Sequence, residues 1–512
     1  MKRTLVLVLA LLLLVTALPA MGESELNYDA PIVMWLPGNG GVSGLEEGAT
    51  ENDNQFINAI REATGYANLT VEVMPATDAE NAMNLRLAAG DYPDVIYVNG
   101  ARNFYLRYQT EGLWAPVDEA VEKYGPAIQE LVTEEAWATV QGDDGQHYGI
   151  PNPLHTSYNG HLLGNGILYR KDWLDDLGLE APTNAEEFRA VLEAIKEADP
   201  AGDGNTIPYS FAGIDINGPE ILMAAFGMWR PYAEMEDGTL ANTRRLYAKD
   251  FAEYMHGLYA DGLLDQEVLY QESTNVTEKF LAGTVFAINE GVWCKTIRQS
   301  WDEMGYDYEL AFMPIFTNND GTQGPAQPFP VANCYLFPST TQYMNEVVDL
   351  VNTFLTDKDL ENFINFGIEG VHYTIDEDGV YHTIEGEAYD SIIYKIYYRL
   401  WFKPDVWWHN AVLGDFVPEI QLYDEAFPNG PVNVNIFSYM PTTEAKLEYE
   451  SGCNDIYEEY MSKIITGELP LEAIDEMFAM MDDAGYTEIE AADKEWYETT
   501  GRSLMETLQA EE

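Results

Sequence analysis

No run of residues in this chain has the spacing that covalent or metal catalysis needs. There is no G-x-S-x-G elbow for a serine nucleophile, no H-E-x-x-H among the seven histidines, and no Cys/His cluster for zinc. Gly38-Asn-Gly-Gly41 lacks both the Lys-Ser/Thr of a phosphate-cradling loop and the G-x-G-x-x-G spacing, and reads as a turn. With 87 Asp and Glu, chance carboxylate pairs are everywhere and identify no acid–base machinery. What the chain offers instead is aromatic faces beside polar edges. Trp293 closes the run Ala287-Ile-Asn-Glu-Gly-Val-Trp, next to Asn289 and Glu290. An indole face buries the C–H face of a sugar ring and leaves the hydroxyl edge free for such neighbours. A carboxylate there makes the stronger, charge-assisted bonds to hydroxyls. Trp229 lies in Gly227-Met-Trp-Arg-Pro231, and Trp401, Trp407 and Trp408 crowd together before His409-Asn410, more indole than a core usually needs.

Such residues are useful only at the ends of elements that hold them. Residues 32–36 read as a buried strand, 53–64 as a helix with Phe56, Ile57 and Ile60 on one face, and 69–73 as a strand. A helix over 79–89 with Met83, Leu85 and Leu87, then a strand over 94–98, complete a β-α-β-α-β rhythm. That order predicts a parallel sheet with right-handed crossovers. In such sheets ligands lie off the carboxyl ends of the strands, which makes Trp35, Asp78, Asn99 and Arg102 candidate contacts on the rim. Residues 142–151 read as a hairpin turn with an extended exit, a crossing between domains. A second unit starts with a strand from Ile167. Pro182-Thr183 with Glu186 reads as a capping box, opening a helix striped by Phe188, Val191, Leu192 and Ile195. Helices follow over 246–260 and 277–281, then a buried strand over 285–288 with a turn after it. A second crossing is expected near 310–314, and Val347, Val348, Val351, Phe354 and Leu355 mark another amphipathic helix.

The bulk properties narrow the class. Lys2 and Arg3 precede an apolar run over 5–18, and Ala20-Met21-Gly22 offers small residues for cleavage after Gly22, so residues 1–22 read as a secretion signal. The apolar run is too short and wrongly flanked for a spanning helix, and no later segment is long enough to be one. No Cys stands near the cleavage site to accept a lipid anchor, so an exported, periplasmic protein is expected, with the extracellular face as the other location. The formal charge of −61 excludes nucleic acid and anionic membranes as partners and reads as a solvated acidic coat. Three cysteines, Cys294, Cys334 and Cys453, are too few and too widely spaced for a disulfide framework.

The segment YRKDWLDDLGLEAPTNAEEF from Tyr169 resembles the extracellular solute-binding proteins of carbohydrate ABC importers, in the subgroup of LipO-like and alginate-binding proteins. The likeness recurs in GDYPDVIYV at 90–98, DGQHYGIP at 144–151, LYADGLLDQE at 258–267, FLAGTVFAINEGVW at 280–293 and FGIEGVHYTIDEDG at 366–379. It implies an α/β, periplasmic-binding-protein-like fold: two α/β lobes, a hinge and an interlobe ligand cleft. Lobe 1 is then expected over 23–152 and 309–370, and lobe 2 over 153–308 and 371–512. The run ending in Trp293 is similar to the sugar-stacking loop of maltose-binding proteins. The resemblance implies a monomer that binds a carbohydrate and hands it to permease subunits, with no enzymatic activity and no cofactor. The competing reading is a secreted carbohydrate-active hydrolase or lyase, for which no motif is seen. Asp199-Pro-Ala-Gly-Asp-Gly-Asn205 is similar to the calcium loop of some relatives, with Asp199, Asp203 and Asn205 as oxygen ligands. Here Ala201 replaces one ligand and the closing acidic pair is missing, so a helix-ending turn competes with calcium. Arg170 and Asp172 are expected to hold their own strand–helix junction.

Overall fold

The computed structural model describes residues 26–37, 48–75, 79–99, 108–109, 112–142, 144–153, 164–213, 220–235, 237–292, 294–326, 331–377, 379–384, 417–430, 433–440 and 443–511. In the first sheet β1 (Val33–Leu36) lies between β2 (Thr70–Val73) and β3 (Val95–Asn99) and runs parallel to both. The crossovers are the helices Gln55–Thr64 and Ala79–Ala88. The Asn54 carboxamide accepts from the N–H groups of Phe56 and Ile57 at 2.9 and 3.0 Å, satisfying donors that the first turn leaves open. Gly65, at φ 81°, ends that helix, and Phe56, Ile57 and Ile60 are buried between the two caps.

The sheet is completed by strands from further along the chain. β4 (Ile150–Pro153) forms one edge, and β11 (Val331–Leu336) inserts antiparallel between β3 and β4, giving the order β2-β1-β3-β11-β4. Both faces are covered. One packs on Phe56, Ile57 and the helix Met344–Thr356 through Val347, Val348 and Val351; the other holds Met83, Leu87, Trp114 and Trp35. Trp35, expected on the rim, is therefore a core residue with no exposed surface. A doubly covered sheet buries alternate residues on both faces, so an apolar strand does not say which end of a side chain meets solvent. The Trp35 indole donates to Glu72 at 3.0 Å and is covered by the Arg86 guanidinium at 4.1 Å.

A second sheet of β5 (Asn165–Arg170), β6 (Ile207–Ser210), β9 (Val285–Gly291) and β10 (Leu310–Phe312) has the order β10-β5-β9-β6. Its core takes in the helices Ala185–Ala198 and Thr243–Ala260 and, from the C-terminal part, Ile420, Tyr423, Tyr457, Met461 and Met477. Leu310–Phe312 pairs with β5, so the chain leaves the second sheet only after Phe312, within the stretch 310–314 where a second crossing was expected. The helix after Pro182 is capped one residue later than expected. Asn184 accepts from the Glu187 N–H, and the Glu187 carboxylate returns to the Thr183 N–H and hydroxyl at 2.9 Å each. Two small hairpins complete the described strands, β7 (Tyr232–Glu234) with β8 (Leu240–Asn242) and β12 (Tyr373–Ile375) with β13 (Tyr381–Thr383). Tyr381 donates to Asn362, which ties the second hairpin to the helix Lys358–Phe366. All three cysteines are buried and free.

The LYADGLLDQE segment fastens the second sheet from within. Asp265 is buried and accepts from Ser210 Oγ and Lys279 Nζ at 2.8 Å and from the Glu267 N–H at 3.1 Å. Burial alone raises its pKa, but the hydrogen bonds from Lys279, Glu267 and Ser210 outweigh this and hold it below the ordinary carboxylate value. A lowered folded pKa adds stability above the unfolded titration range, and that stability is lost as pH falls through the folded value. Asp265→Ala is expected to lower stability to urea at pH 7 by about 3 kcal/mol, because it removes the charged acceptor of the buried Ser210 hydroxyl and the Glu267 N–H together with one of three Lys279 partners. The deficit relative to wild type should shrink in acid; a pH-independent deficit would show that packing, not the ion pair, holds this junction.

Candidate ligand-binding site

The strand directions single out one edge of each sheet. β1, β2 and β3 are parallel, and β4 runs with them because both β3 and β4 oppose β11. Their carboxyl ends, Leu36, Val73, Asn99 and Pro153, share an edge with the start of β11 at Val331. In the second sheet β6 and β9 are parallel, while β5 opposes β9 and β10 opposes β5. Ser210, Gly291 and Phe312 therefore end on the edge where β5 begins at Asn165. The chain leaving Pro153 for Asn165, and the chain leaving Phe312 for Val331, both join these two edges. Carboxyl edges at a change of direction are where open α/β sheets take ligands.

On the second sheet's edge, β9 is longer than its apolar run suggested. Asn289, Glu290 and Gly291 stay paired with Ile167, Gly166 and Asn165, because β5 extends alongside them. The period of two then separates the candidates. Asn289 shares a face with Tyr209, whose hydroxyl donates to its Oδ1. Glu290 faces the other way and is half-buried; one carboxylate oxygen accepts the Gly291 N–H at 3.0 Å. Burial raises the Glu290 pKa. Near it, Glu419 is buried and takes the Arg298 Nε at 2.6 Å, while its Oε2 has no partner among the described residues. The Cys294 thiol is pushed up by burial and by the charges of Glu419 and Glu290, so it stays protonated.

Trp229 is half-buried on the connection that follows β6. Its Nε1 donates to Asp320 at 2.9 Å, and the Arg230 guanidinium lies over its ring at 4.3 Å. Trp293, Asp78, Arg102, Trp401, Trp407, Trp408 and the side chain of Asn99 lie outside the described residues. Residue types alone missed Asn152 and Asn333, buried partners across β4 and β11 at the first sheet's carboxyl edge. The signal was available: each is a polar residue within an otherwise apolar or proline-flanked strand.

The segments that carried the resemblance work as fasteners. Arg170 is buried between the Trp173 and Trp301 rings, at 4.7 and 5.0 Å, and grips Asp172 with both Nε and Nη2. Lys171 donates its N–H to the Glu309 carbonyl at 2.7 Å, closing β5 onto the approach to β10. His372 receives the Ile368 N–H on Nδ1 at 2.8 Å, and burial lowers its pKa, keeping that nitrogen an acceptor. The residues at 199–205 do not fit a calcium ion. The Asp199 carboxylate is turned into its own loop, accepting from the Thr206 hydroxyl at 2.7 Å, the Gly204 N–H at 2.7 Å and the Thr206 N–H at 3.2 Å. Ala201 supplies no oxygen, and no cluster of three His, Cys, Asp or Glu with metal-site spacing occurs among the described residues. The loop is a helix-ending turn, with Asp199 at φ 47° and Asp203 at φ 59°.

The sequence profile of the bacterial extracellular solute-binding proteins matches residues 55–366, more than half of the chain. The chain belongs to this family. It is a family of binding proteins rather than enzymes, and among the described residues no helix is long and apolar enough to cross a membrane. This solute-binding protein is 35% identical over 163 residues to the fructooligosaccharide ABC transporter substrate-binding protein FusA of Streptococcus pneumoniae, covering 30% of each chain. It is 24% identical over 348 residues to the polygalacturonan/rhamnogalacturonan-binding protein YtcQ of Bacillus subtilis, covering 65% of this chain and 66% of that one. These matches span less than two thirds of either relative's length. In fold it is similar to an HMO-binding, ABC-transporter-associated solute-binding protein from Bifidobacterium longum infantis, with a TM-score of 0.71 at 18% identity over 91% of this chain and 98% of that one. That likeness agrees with the periplasmic-binding-protein architecture.

The raised Glu290 pKa has a consequence for stability. A carboxylate whose folded pKa lies above its unfolded value weakens the fold at neutral pH, and the penalty is relieved as pH falls through the folded value. Glu290→Gln is expected to raise the melting temperature at pH 7, with the gain disappearing near pH 4. A variant less stable than wild type at pH 7 would show that the charge is compensated in a way the described residues do not include.

Proposed function

We propose that this solute-binding protein is the exported carbohydrate receptor of an ABC importer, taking an oligosaccharide between the carboxyl edges of its two sheets. The observation that carries this reading is the pair of connections, after Pro153 and after Phe312, that join those two edges. Asn152 and Asn333 on one edge, and Asn289 and Glu290 on the other, are buried or half-buried polar groups, and the half-buried Trp229 indole is held to Asp320 on the segment that joins the edges. The names of FusA and YtcQ, both carbohydrate-binding, support a sugar as cargo. The lobes are then 23–153 with 331–384, and 165–326 with 417–512. Ligand touching both edges stabilises a closed form over an open one, and the connections act as the hinge. The closed form docks on the permease subunits as a single copy. Residues 1–22 direct export, with cleavage after Gly22, and the mature chain works in the periplasm.

Two measurements test this. Mature protein titrated with oligosaccharides should show a saturable change in tryptophan fluorescence without new reducing ends, whereas sustained release of reducing ends would replace the receptor by an enzyme. Trp293→Ala should weaken binding by roughly tenfold, equivalent to 1.4 kcal/mol, with the melting temperature nearly unchanged. An unaltered affinity would remove Trp293 from the site.

A further inference from the structure

The chain holds 26 Lys and Arg against 87 Asp and Glu, and its described arginines are typically spent on carboxylates: Arg86 on Glu72 and Asp91, Arg170 on Asp172, Arg245 on Asp482 and Glu490, Arg298 on Glu419, and Arg502 on Glu234. Arg230 is different. It is half-buried, and its Nε has no contact with water and no hydrogen-bond partner among the described residues. Two carboxylates stand near enough to act on its charge, Asp320 and Glu234, yet both are engaged by other donors. Asp320 accepts from Trp229 Nε1 at 2.9 Å, and from the Thr322 N–H and hydroxyl at 3.0 and 2.6 Å. Glu234 accepts from Arg502 Nη1 at 2.7 Å and from the Tyr497 hydroxyl at 3.0 Å. The result is a guanidinium whose charge is matched by carboxylates that are not hydrogen-bonded to it among the described residues, and whose buried Nε no oxygen reaches.

Its position is also defined. The Arg230 carbonyl accepts from the Thr243 hydroxyl, and the Pro231 carbonyl accepts the Thr243 N–H at 2.9 Å, so the backbone that presents the side chain is pinned to the end of β8. On its other side Gly227, at φ 88°, lets the chain pass the Tyr247 ring, where a Cβ would lie 2.9 Å from the nearest ring carbon. Asp320 follows β10 off the second sheet's carboxyl edge, on the way to Val331, and the turn of Trp229 and Arg230, which comes after the helix Glu220–Ala225, is held to that segment by the Trp229 Nε1–Asp320 bond and by the Asn319 N–H on the Ala225 carbonyl at 2.8 Å. Leaving a buried cationic donor unpaired costs stability, and a ligand oxygen arriving at this edge removes the cost.

Resting on the carbohydrate reading above, we propose that Arg230 is a ligand-contacting residue that donates its guanidinium fork to hydroxyl or ring oxygens of a neutral glycosyl unit beside Trp229, and that it excludes uronic acids. A uronate carboxylate at Arg230 would also meet Asp320, whose hydrogen bonds come from neutral donors, within a protein of net charge −61, and like charges so close are repelled. A neutral sugar offers acceptors without that repulsion. Desolvation of Arg230, which lowers its pKa, agrees with a donor that binds through hydrogen bonds rather than as a free surface charge.

The test uses calorimetry on the mature full-length protein with kestose, raffinose, maltotriose, xylotriose and lacto-N-tetraose as neutral probes and trigalacturonate as the anionic one. The expected result is binding of a neutral probe in preference to trigalacturonate. Arg230→Ala should lose roughly tenfold or more in affinity for that probe, and Arg230→Lys, which keeps the charge but not the fork, should lose part of it. Arg230→Lys carries the test if the alanine variant is poorly folded by its melting temperature. Equal affinity in wild type and both variants would overturn the role of Arg230. Preference for trigalacturonate would overturn the neutral class and leave the carbohydrate reading standing. A wild-type protein that binds none of the six would bring down the carbohydrate reading and this proposal with it.

Discussion

Everything in the architecture depends on one strand arriving late. β11 comes from beyond the second sheet and fills the gap between β3 and β4, hydrogen-bonded on both sides. Without it the first sheet is divided, since β4 touches no other strand. Its residues Tyr335 and Leu336 are fully buried, and Gly149 of the Tyr-Gly-Ile-Pro run approaches so closely that a Cβ would sit 2.9 Å from Cys334 Sγ. Because the first sheet needs both an early and a late part of the chain, the chain must leave it after β4 and return before β11. Those two passages join the carboxyl edges, and the chain crosses a third time after residue 384 to reach the helices packed on the second sheet. A binding protein that works by closure requires such a joint.

The charge of the chain shapes its interior as much as its surface. With acids in more than threefold excess over Lys and Arg, each cation has many candidate partners, and exposed pairs among them contribute little. The informative ones are inside. Arg170 between two indoles fixes the end of β5 to the helices beside it, Lys279 on Asp265 ties a helix to the turn that holds Ser210, and Arg298 on Glu419 joins two helices around a buried carboxylate. Carboxylates at the second sheet's carboxyl edge are treated differently: Glu290 has no cation on it among the described residues, and Glu419 keeps one oxygen unpaired. Buried polar groups left unsatisfied in this way cost the fold stability.

Much of the fold was legible locally. The helices at 55–64 and 79–88 and the three parallel strands around them follow from apolar period and caps, and those signals act between residues a few positions apart. Where two local signals compete, sequence could not choose: Thr183 and Asn184 are both good caps, and the helix starts at the one that sets Phe188, Leu192 and Ile195 into the core. Site residues were harder to read. Trp35 had the position of a rim residue and the fate of a core one, because helices cover both faces of its sheet. Asn289 and Glu290 looked like a turn because their own residues are polar, whereas the partner strand β5 holds them extended.

The sequence by itself determined the class of protein, the local elements, the acidic coat and the set of fastening segments that mark the family. Those depend on near-neighbour hydrogen bonding, side-chain period and composition, which a chain carries wherever it is folded. Tertiary structure alone decided the strand order, the membership of Leu310–Phe312 in the second sheet, the inward turn of Asp199 away from any cation, and the isolation of Arg230 from the carboxylates beside it. Each of these is settled by which distant segment arrives alongside and which donor reaches an oxygen first, and neither is written in the spacing of residues along the chain.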